Sequence, residues 1–154
     1  MLPALCAVLV LAACDSVAGQ GPTDPMGVPG APGSPEDEPC GISKIGDTVY
    51  FATDSAVLTS EAQQLAQRQA CWLRLYAPQR SLTIEGHADE RGTREYNLAL
   101  AERRAQAVMD YLIALGVDPK RLKTISYGKE RPTCTETTEA CWSQNRRGVL
   151  TLDN

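Results

Sequence analysis

Hydrophobic and polar positions follow two different periods along this chain of 154 residues. Four short segments, residues 48–51, 81–86, 123–127 and 148–152, are rich in β-branched and aromatic side chains, which predicts strands. Between the first and second strands, and again between the second and third, apolar residues recur at steps of three and four, the period of a helix. The predicted order of elements is therefore β-α-β-α-β-β.

Each predicted helix has one apolar stripe. In the first helix the stripe consists of Leu58, Ala62, Leu65, Gln69, Trp72 and Tyr76. In the second helix it consists of Leu98, Ala101, Ala105, Val108, Leu112 and Leu115. Thr59 or Ser60 is a candidate N-cap of the first helix, and Gly116 stands where a C-terminal cap would end the second. Helices with a single apolar face pack on one side of a sheet, so the pattern predicts an α/β (α+β) fold, a two-layer sandwich.

The beginning of the chain has a different character. Residues 2–13 are almost wholly apolar and lead through small residues into Cys14, as in a lipoprotein signal peptide. A membrane-spanning anchor is the alternative, but this stretch is shorter than the roughly twenty residues that cross a bilayer. We therefore expect residues 1–13 to be a signal peptide and Cys14 to carry lipid.

Residues 14–39 have the composition of a linker. Residues 15–39 contain six prolines and five glycines without periodic apolar positions, which predicts disorder. They also carry five of the nineteen acids and none of the fifteen basic residues, so the segment 40–154 has fifteen basic and fourteen acidic side chains. That segment is long enough for one domain, and its balanced charge argues against nucleic-acid binding.

Four of the six cysteines lie in the expected domain, at Cys40, Cys71, Cys134 and Cys141. An exported protein meets an oxidising compartment, so an even set of cysteines predicts two disulfides. Cys134 and Cys141 bracket one polar loop, which favours their pairing and leaves Cys40 with Cys71. A zinc site is the alternative, but the sequence offers neither a CxxC pair nor a histidine near these cysteines.

The most informative stretch begins at Gly86, reads GHADERGT and runs on into EYNLALAERRA. It places acids, an amide and arginines around the start of the second helix. Together with SYGKERP at 126–132 and NRR at 145–147, it resembles the OmpA-like peptidoglycan-binding domains, in particular those of the outer-membrane lipoproteins of the Tol system. The resemblance covers residues 47–153 and implies that the four strands form a mixed sheet.

The resemblance also implies a binding site for diaminopimelate, whose free amino-acid end is a zwitterion in the peptidoglycan stem peptide. The family's aspartate and arginine lie fifteen residues apart, as Asp89 and Arg104 do. The ligand-binding residues that the resemblance implies are Asp54, Asp89, Asn97, Leu100 and Arg104. No cofactor and no metal ion belong to this site.

Helix geometry agrees with this assignment. Asn97, Leu100 and Arg104 share a stripe beside the core stripe, whereas Arg103 is turned about a third of a revolution away. The guanidinium fork of Arg104 fits a carboxylate, and the carboxylate of Asp89 attracts an ammonium group. The alternative is an ion pair between Asp89 and Arg104 on a solvated surface, which would contribute little.

Two features qualify the implied site. Members of the family commonly have an aromatic residue before the first acid, where this chain has Thr53, so the apolar wall of the pocket is unaccounted for. Asn145-Arg146-Arg147 precedes the last strand, and we expect Arg147 to support the binding loops from behind. A solvated basic turn is the alternative for this motif.

Catalysis has little support in the sequence. His87 is the only histidine, and with Asp89 and Glu90 it could suggest a metal site or a general base. We expect instead a capping or hydrogen-bonded loop histidine. The chain contains no GxSxG, HExxH or phosphate-loop motif. We therefore expect a protein that is not an enzyme.

The sequence thus predicts an outer-membrane lipoprotein whose periplasmic domain binds peptidoglycan. The resemblance implies a TolB-like periplasmic protein and other Tol components as partners. One alternative is an OmpA-like lipoprotein that anchors another envelope complex, and one from a different class is a cell-wall hydrolase. Asp15 bears on the location, because in some bacteria an acid after the lipidated cysteine keeps a lipoprotein in the inner membrane.

Overall fold

The computed structural model describes residue 40 and residues 47–153. Its elements in chain order are β1 (Thr48–Tyr50), α1 (Ser60–Leu75), β2 (Leu82–His87), α2 (Arg94–Ala114), β3 (Leu122–Gly128), α3 (Glu139–Asn145) and β4 (Arg147–Leu152). A short 3₁₀ turn, Pro119–Arg121, precedes β3. The expected signal peptide, Cys14 and the linker lie outside the described residues.

The four strands form one mixed sheet in the order β1-β4-β2-β3. Strand β4 pairs antiparallel with both β1 and β2, whereas β2 and β3 are parallel and are joined through α2. A parallel pair needs such a crossover, because its strands run in the same direction. The predicted α+β sandwich on a mixed sheet is confirmed.

The core lies between the helices and one face of the sheet. Ile84 of β2 and Val108 and Leu112 of α2 have no exposed surface, and Val49 of β1 and Ala66 of α1 are as deeply buried. Small residues on α1 let it approach the sheet closely. Burial of these apolar side chains is the main stabilising term of the domain.

Gly86 allows α2 to cross β2 at very short range. A Cβ atom at this position would collide with the backbone carbonyl of Ala101 in α2, and a helix backbone cannot yield as a flexible side chain can. The close crossing brings the beginning of α2 to the end of β2. It thereby fixes the position of the loop that carries Asp89.

Threonine side chains cap the three helices. Thr59, Thr93 and Thr138 each accept a hydrogen bond from a backbone N–H in the first helical turn. Gly116 follows the last turn of α2 with a φ of +88°, a conformation that favours glycine. The sequence predictions of an N-cap at Thr59 and a C-terminal cap at Gly116 are confirmed.

Three local predictions are wrong. Leu98 is 49% exposed, because the backbone of α2, and not that side chain, meets β3 there: the Ser126 hydroxyl donates to the Leu98 carbonyl. Tyr76 is 51% exposed because it follows the last turn of α1. The segment predicted as one polar loop between Cys134 and Cys141 contains the start of α3.

Both disulfides expected from the sequence are present. Cys40 is joined to Cys71 of α1, and Cys134 is joined to Cys141 of α3, so neither pair forms a zinc site. The second disulfide closes a ring of few residues and attaches α3 to the loop after β3. Among the described residues no helix is long and apolar enough to span a membrane.

Candidate functional site

A cleft of about 310 Å³ opens where the loops after β1 and β2 meet the start of α2. Its lining residues are Thr53, Asp54, Asp89, Arg91, Gly92, Tyr96, Asn97 and Leu100. The fold brings them together because β1 and β2 both end at this edge and α2 begins there. Four of the five ligand-binding residues that the sequence analysis named therefore share one cleft.

Asp89 is the most enclosed charge in the cleft, with 7% of its surface exposed. Its carboxylate accepts hydrogen bonds from the backbone N–H of Arg91 at 3.1 Å, and from the Arg91 side chain at 2.7 and 3.2 Å. Burial opposes the charged form, but the hydrogen bonds and charge of Arg91, with a bond from Arg146, hold the pKa of Asp89 below its usual range. Asp89 is thus an anion at neutral pH.

Arg146 supports Asp89 from the protein side. Arg146 is 5% exposed, and its guanidinium lies 3.4 Å from the Asp89 carboxylate and 2.6 Å from that of Glu139. It also donates to the Phe51 carbonyl at 3.2 Å, which ties the loop after β1 to the same group. A buried arginine with two carboxylate partners has little freedom to move.

The supporting arginine is Arg146 and not Arg147, which corrects the sequence assignment. Arg147 donates to the Arg131 carbonyl at 3.2 Å and faces the side of the sheet away from the helices. Burial lowers the pKa of Arg147, with Tyr50 and Glu85 opposing the shift. α3 ends at Asn145, so Arg146 lies between α3 and β4, and Arg147 is the first residue of β4. The two adjacent arginines therefore point to opposite sides of the sheet.

Arg104 lies beneath the cleft and is completely buried. Its guanidinium donates to the backbone carbonyls of Ser55 at 2.8 Å, His87 at 2.9 Å and Ala52 at 3.1 Å. Burial lowers the pKa of Arg104 to about 10, and Asp89 opposes the shift, so the group stays charged at neutral pH. The alternative of a solvated surface ion pair is wrong for Arg104, which has no exposed surface.

Asp54 and Tyr96 form the opposite rim of the cleft. Asp54 has a φ of +54° and is the one residue other than glycine with positive φ among those described. The Tyr96 hydroxyl donates to its carboxylate, and this hydrogen bond raises the pKa of Tyr96. Tyr96 lines the cleft and is 44% exposed. Its ring therefore supplies the aromatic wall that Thr53 does not.

The loop between β2 and α2 is held from several sides. The Asn97 amide donates to the Arg91 carbonyl at 2.7 Å, and the ammonium of Lys129 donates to the Gly92 carbonyl at the same distance. The Trp142 indole donates to the Glu90 carboxylate at 2.9 Å. Asn97 therefore shapes the cleft, while α3 forms an outer wall behind the loop.

Arg91, Tyr96 and α3 were missed by the sequence analysis. Arg91 stands two residues after Asp89, the spacing at which an aspartate side chain commonly accepts a hydrogen bond from the backbone N–H, so this contact was detectable. Tyr96 was missed because the predicted apolar stripe of α2 began at Leu98, whereas both side chains are exposed. The contacts of α3 depend on tertiary structure alone.

His87 is the last residue of β2 and not a loop residue, contrary to the expectation. It is 3% exposed, and within residues 47–153 its ring nitrogens have no partner with hydrogen-bond geometry. Burial and the positive charges of Arg147 and Arg131 lower the pKa of His87 to about 4, with only partial opposition from the Arg131 backbone. The described part of the chain also contains no group of three metal-binding side chains.

The segment that builds this cleft matches a known family. Residues 50–146 match the OmpA family, so the match begins at the last residue of β1 and includes β2, α2, α3 and the cleft loops. The chain belongs to the OmpA family.

Two similar proteins carry the same name. The chain is 50% identical over 153 residues to the peptidoglycan-associated lipoprotein of Mesorhizobium japonicum, which covers 97% of this chain and 89% of the relative. It is 52% identical over 122 residues to the protein of the same name from Brucella melitensis, covering 79% of this chain and 70% of that one. These likenesses extend well beyond the cleft.

Solved structures agree. The crystal structure of the peptidoglycan-associated lipoprotein from Burkholderia pseudomallei superposes with a TM-score of 0.68 at 44% identity, over 70% of this chain and 91% of that chain. The C-terminal domain of Helicobacter pylori MotB gives a TM-score of 0.66 at 23% identity, over 70% of this chain and 84% of that chain. The second likeness shows a shared fold alone.

Proposed function

We propose that this protein is an outer-membrane lipoprotein that binds peptidoglycan non-covalently through the diaminopimelate of the stem peptide. The observation that carries the proposal is the enclosed carboxylate of Asp89 in a cleft that also contains arginine. Relatives named peptidoglycan-associated lipoprotein, similar over most of the chain, support the same class of ligand.

The chemistry of the cleft suits a zwitterion. Asp89 and Asp54 supply two carboxylates for an ammonium group, while Arg91 at the surface and Arg104 below supply positive charge for a carboxylate. Because Arg104 directs its donors at backbone carbonyls, its contribution to the cleft is electrostatic. A free amino-acid end, such as that of diaminopimelate, presents both charges on one carbon atom.

The cleft favours an anchor over a cell-wall hydrolase. Hydrolysis needs an activated nucleophile or water molecule close to the bound substrate. His87, the candidate general base, directs its ring away from the helix side of the sheet and is not among the residues that line the cleft. Asp89 is engaged by two arginines and is depressed in pKa, which suits charge recognition better than proton transfer.

Tethering completes the proposal. Lipid on Cys14 holds the chain in the outer membrane, residues 15–39 connect the lipid to the domain, and residues 40–154 bind the cell wall in the periplasm. A TolB-like periplasmic protein and other Tol components are the partners we propose on the basis of the family resemblance. An OmpA-like lipoprotein serving another envelope complex remains the second candidate, since the cleft would be the same.

Sedimentation with purified sacculi tests this function. Full-length protein in detergent is incubated with diaminopimelate-containing sacculi, the sacculi are pelleted, and the supernatant is analysed for released muropeptides. We expect the protein in the pellet, release by free diaminopimelate, and no muropeptides in the supernatant. Released fragments would support the hydrolase, and protein that stays in the supernatant would contradict binding.

A further inference from the structure

Arg91 occupies the carboxylate that the proposed ligand requires. Its Nη2 and Nε atoms lie 2.7 and 3.2 Å from the two oxygens of Asp89, a two-on-two fork on the cleft side of the carboxylate. The Arg91 side chain also lines the cleft. An ammonium group that enters the cleft from solvent therefore finds Asp89 already paired with Arg91.

The Arg91 side chain also has two contacts with α3. Its guanidinium carbon lies 4.3 Å from the centre of the Trp142 ring, and Nη1 lies 3.9 Å from the Glu139 carboxylate. The side chain is 38% exposed, so it can turn from Asp89 while keeping the stacking contact with Trp142. Arg146, which is 6% exposed in its side chain, stays behind Asp89 in either state.

The charges make this movement selective. If an ammonium group joined Asp89 while Arg91 stayed, one carboxylate would face three cations, Arg104 excluded. If Arg91 leaves, it gives up a short charge-assisted bond. The Glu139 carboxylate, 3.9 Å from Nη1 of Arg91, is already bonded to Arg146 at 2.6 Å, so Arg91 needs a further anion close to the cleft. A ligand with an ammonium group alone supplies no such anion, whereas a zwitterion supplies a carboxylate beside the ammonium.

We infer that Arg91 is a specificity-determining residue that exchanges ion pairs with the ligand. The ligand's ammonium replaces Arg91 on Asp89, and the released Arg91 pairs with the ligand's carboxylate. The inference rests on the proposed function, which names the ligand but not this role. A simple amine supplies no carboxylate for Arg91. Arg91 then stays on Asp89 and competes with the amine, so the cleft binds the amine weakly.

Two peptides that differ by one carboxylate test the exchange. The tripeptide L-Ala-γ-D-Glu-meso-diaminopimelate carries the zwitterion, and L-Ala-γ-D-Glu-L-Lys carries the same amine without its carboxylate. Affinity for each is measured by calorimetry with the full-length protein in detergent and with Arg91→Ala and Arg91→Lys. Arg94→Ala is the matched control, because Arg94 is an exposed arginine three residues on that pairs with Glu130 outside the cleft.

We expect the parent to prefer the diaminopimelate peptide, and Arg91→Ala to reduce that preference about tenfold or more by binding the lysine peptide better and the other peptide less well. Arg91→Lys should keep an intermediate preference, since it retains charge without the fork. Arg94→Ala should match the parent.

The possible failures are separable. A parent that does not bind the diaminopimelate peptide would overturn the proposed function and this inference with it. A selective parent whose preference is unchanged in Arg91→Ala would overturn the inference alone. Equal losses for both peptides in Arg91→Ala, or a changed preference in Arg94→Ala, would also overturn it, because they indicate a structural effect.

Discussion

Three arginines lie around the candidate site, and each is held in a different way. Arg91 is partly exposed and stacks on Trp142, Arg146 is buried between two carboxylates, and Arg104 is buried against backbone carbonyls. Burying a charge is costly unless hydrogen bonds compensate, which the three carbonyls do for Arg104. Arg104 therefore joins the loop after β1 to the end of β2, and it also contributes positive charge to the cleft.

We expect Arg104→Lys to lower the free energy of unfolding by about 2 to 4 kcal/mol, because an ammonium cannot reach three carbonyls arranged around a fork. The adjacent Arg103→Lys is the matched control and should change it by less than about 0.5 kcal/mol, since Arg103 is exposed. Urea denaturation monitored by circular dichroism measures both. Equal stability of the two variants would contradict the role given to Arg104.

His87 predicts a pH dependence of stability. Its pKa is about 4 in the fold against an ordinary value of 6.5, so the unfolded chain binds the proton more readily. The stability that neutral His87 contributes is complete above pH 6.5 and is lost as pH falls from 6.5 towards 4. We expect this loss to be about 2 to 3 kcal/mol.

His87→Gln should flatten the stability profile between pH 6.5 and 4, since glutamine does not titrate. Glu85, Arg131 and Arg147 remain in the variant, so the difference between the two profiles isolates the histidine. Denaturation midpoints at several pH values provide the measurement. Parallel profiles would show that His87 is not held neutral by the fold.

Individual residues differ in how far the sequence could predict them. Asp54 and Asp89 were named from the family resemblance, Asp89 also from its spacing to Arg104, and both line the cleft. The complete burial of Arg104 was not predictable, since a helical period gives a direction but not the depth of the neighbouring loop. The choice between Arg146 and Arg147 depended on the last turn of α3, which the sequence did not reveal.

At the scale of elements, α3 is the part of the site that depends on a covalent bond. Its seven residues make two turns, too few for a stable isolated helix. The Cys134–Cys141 disulfide and the Asn145 amide, which accepts from the Thr133 and Cys134 backbone N–H groups, hold it in place. It then presents Trp142 and Glu139 to Arg91.

Replacing both Cys134 and Cys141 by serine should therefore weaken binding of the diaminopimelate tripeptide, by about tenfold if the contacts of α3 are lost. The matched control replaces Cys40 and Cys71, whose bond joins α1 on another part of the domain. The control should lower the free energy of unfolding by about 2 to 4 kcal/mol and change the affinity for the tripeptide little.

Calorimetric affinities and thermal denaturation of both double variants separate the two effects. Equal affinities in the two variants would show that the site does not depend on the placement of α3.

The strands and the two long helices were predictable, and the short helix α3 was not. Strands and long helices repeat their pattern enough times to be recognised, and their order predicted the two-layer sandwich. The mixed sheet was implied by the family resemblance. α3 spans the polar run EACWSQN, which has no apolar period, and its position depends on the disulfide and on Arg146. Leu98 was predicted to lie in the core because the helical period assumes that side chains make every contact of α2. At this position the backbone of α2 makes the contact.

At the scale of the whole molecule, the proposal separates attachment from recognition. In the proposed function, attachment depends on Cys14, and recognition depends on the cleft between β2 and α2. The two can be tested independently because they lie in different parts of the chain.

We expect Cys14→Ser to release the protein from membranes while leaving affinity for sacculi unchanged, because acylation requires the thiol. Fractionation with a carbonate wash, followed by sacculus sedimentation of the same material, makes the measurement. Firm membrane attachment of the variant would contradict the lipid anchor.

The central claim is that the Asp89 cleft binds the zwitterionic end of diaminopimelate, and titration of Asp89→Asn with the diaminopimelate tripeptide tests it most directly. The substitution keeps the size of the side chain and removes its charge. Asp110→Asn is the matched control, because Asp110 lies exposed on α2 and pairs with Gln106. We predict that Asp89→Asn binds about ten to a hundred times more weakly than the parent and that Asp110→Asn binds equally well. A folded Asp89→Asn protein with the affinity of the parent would contradict the claim.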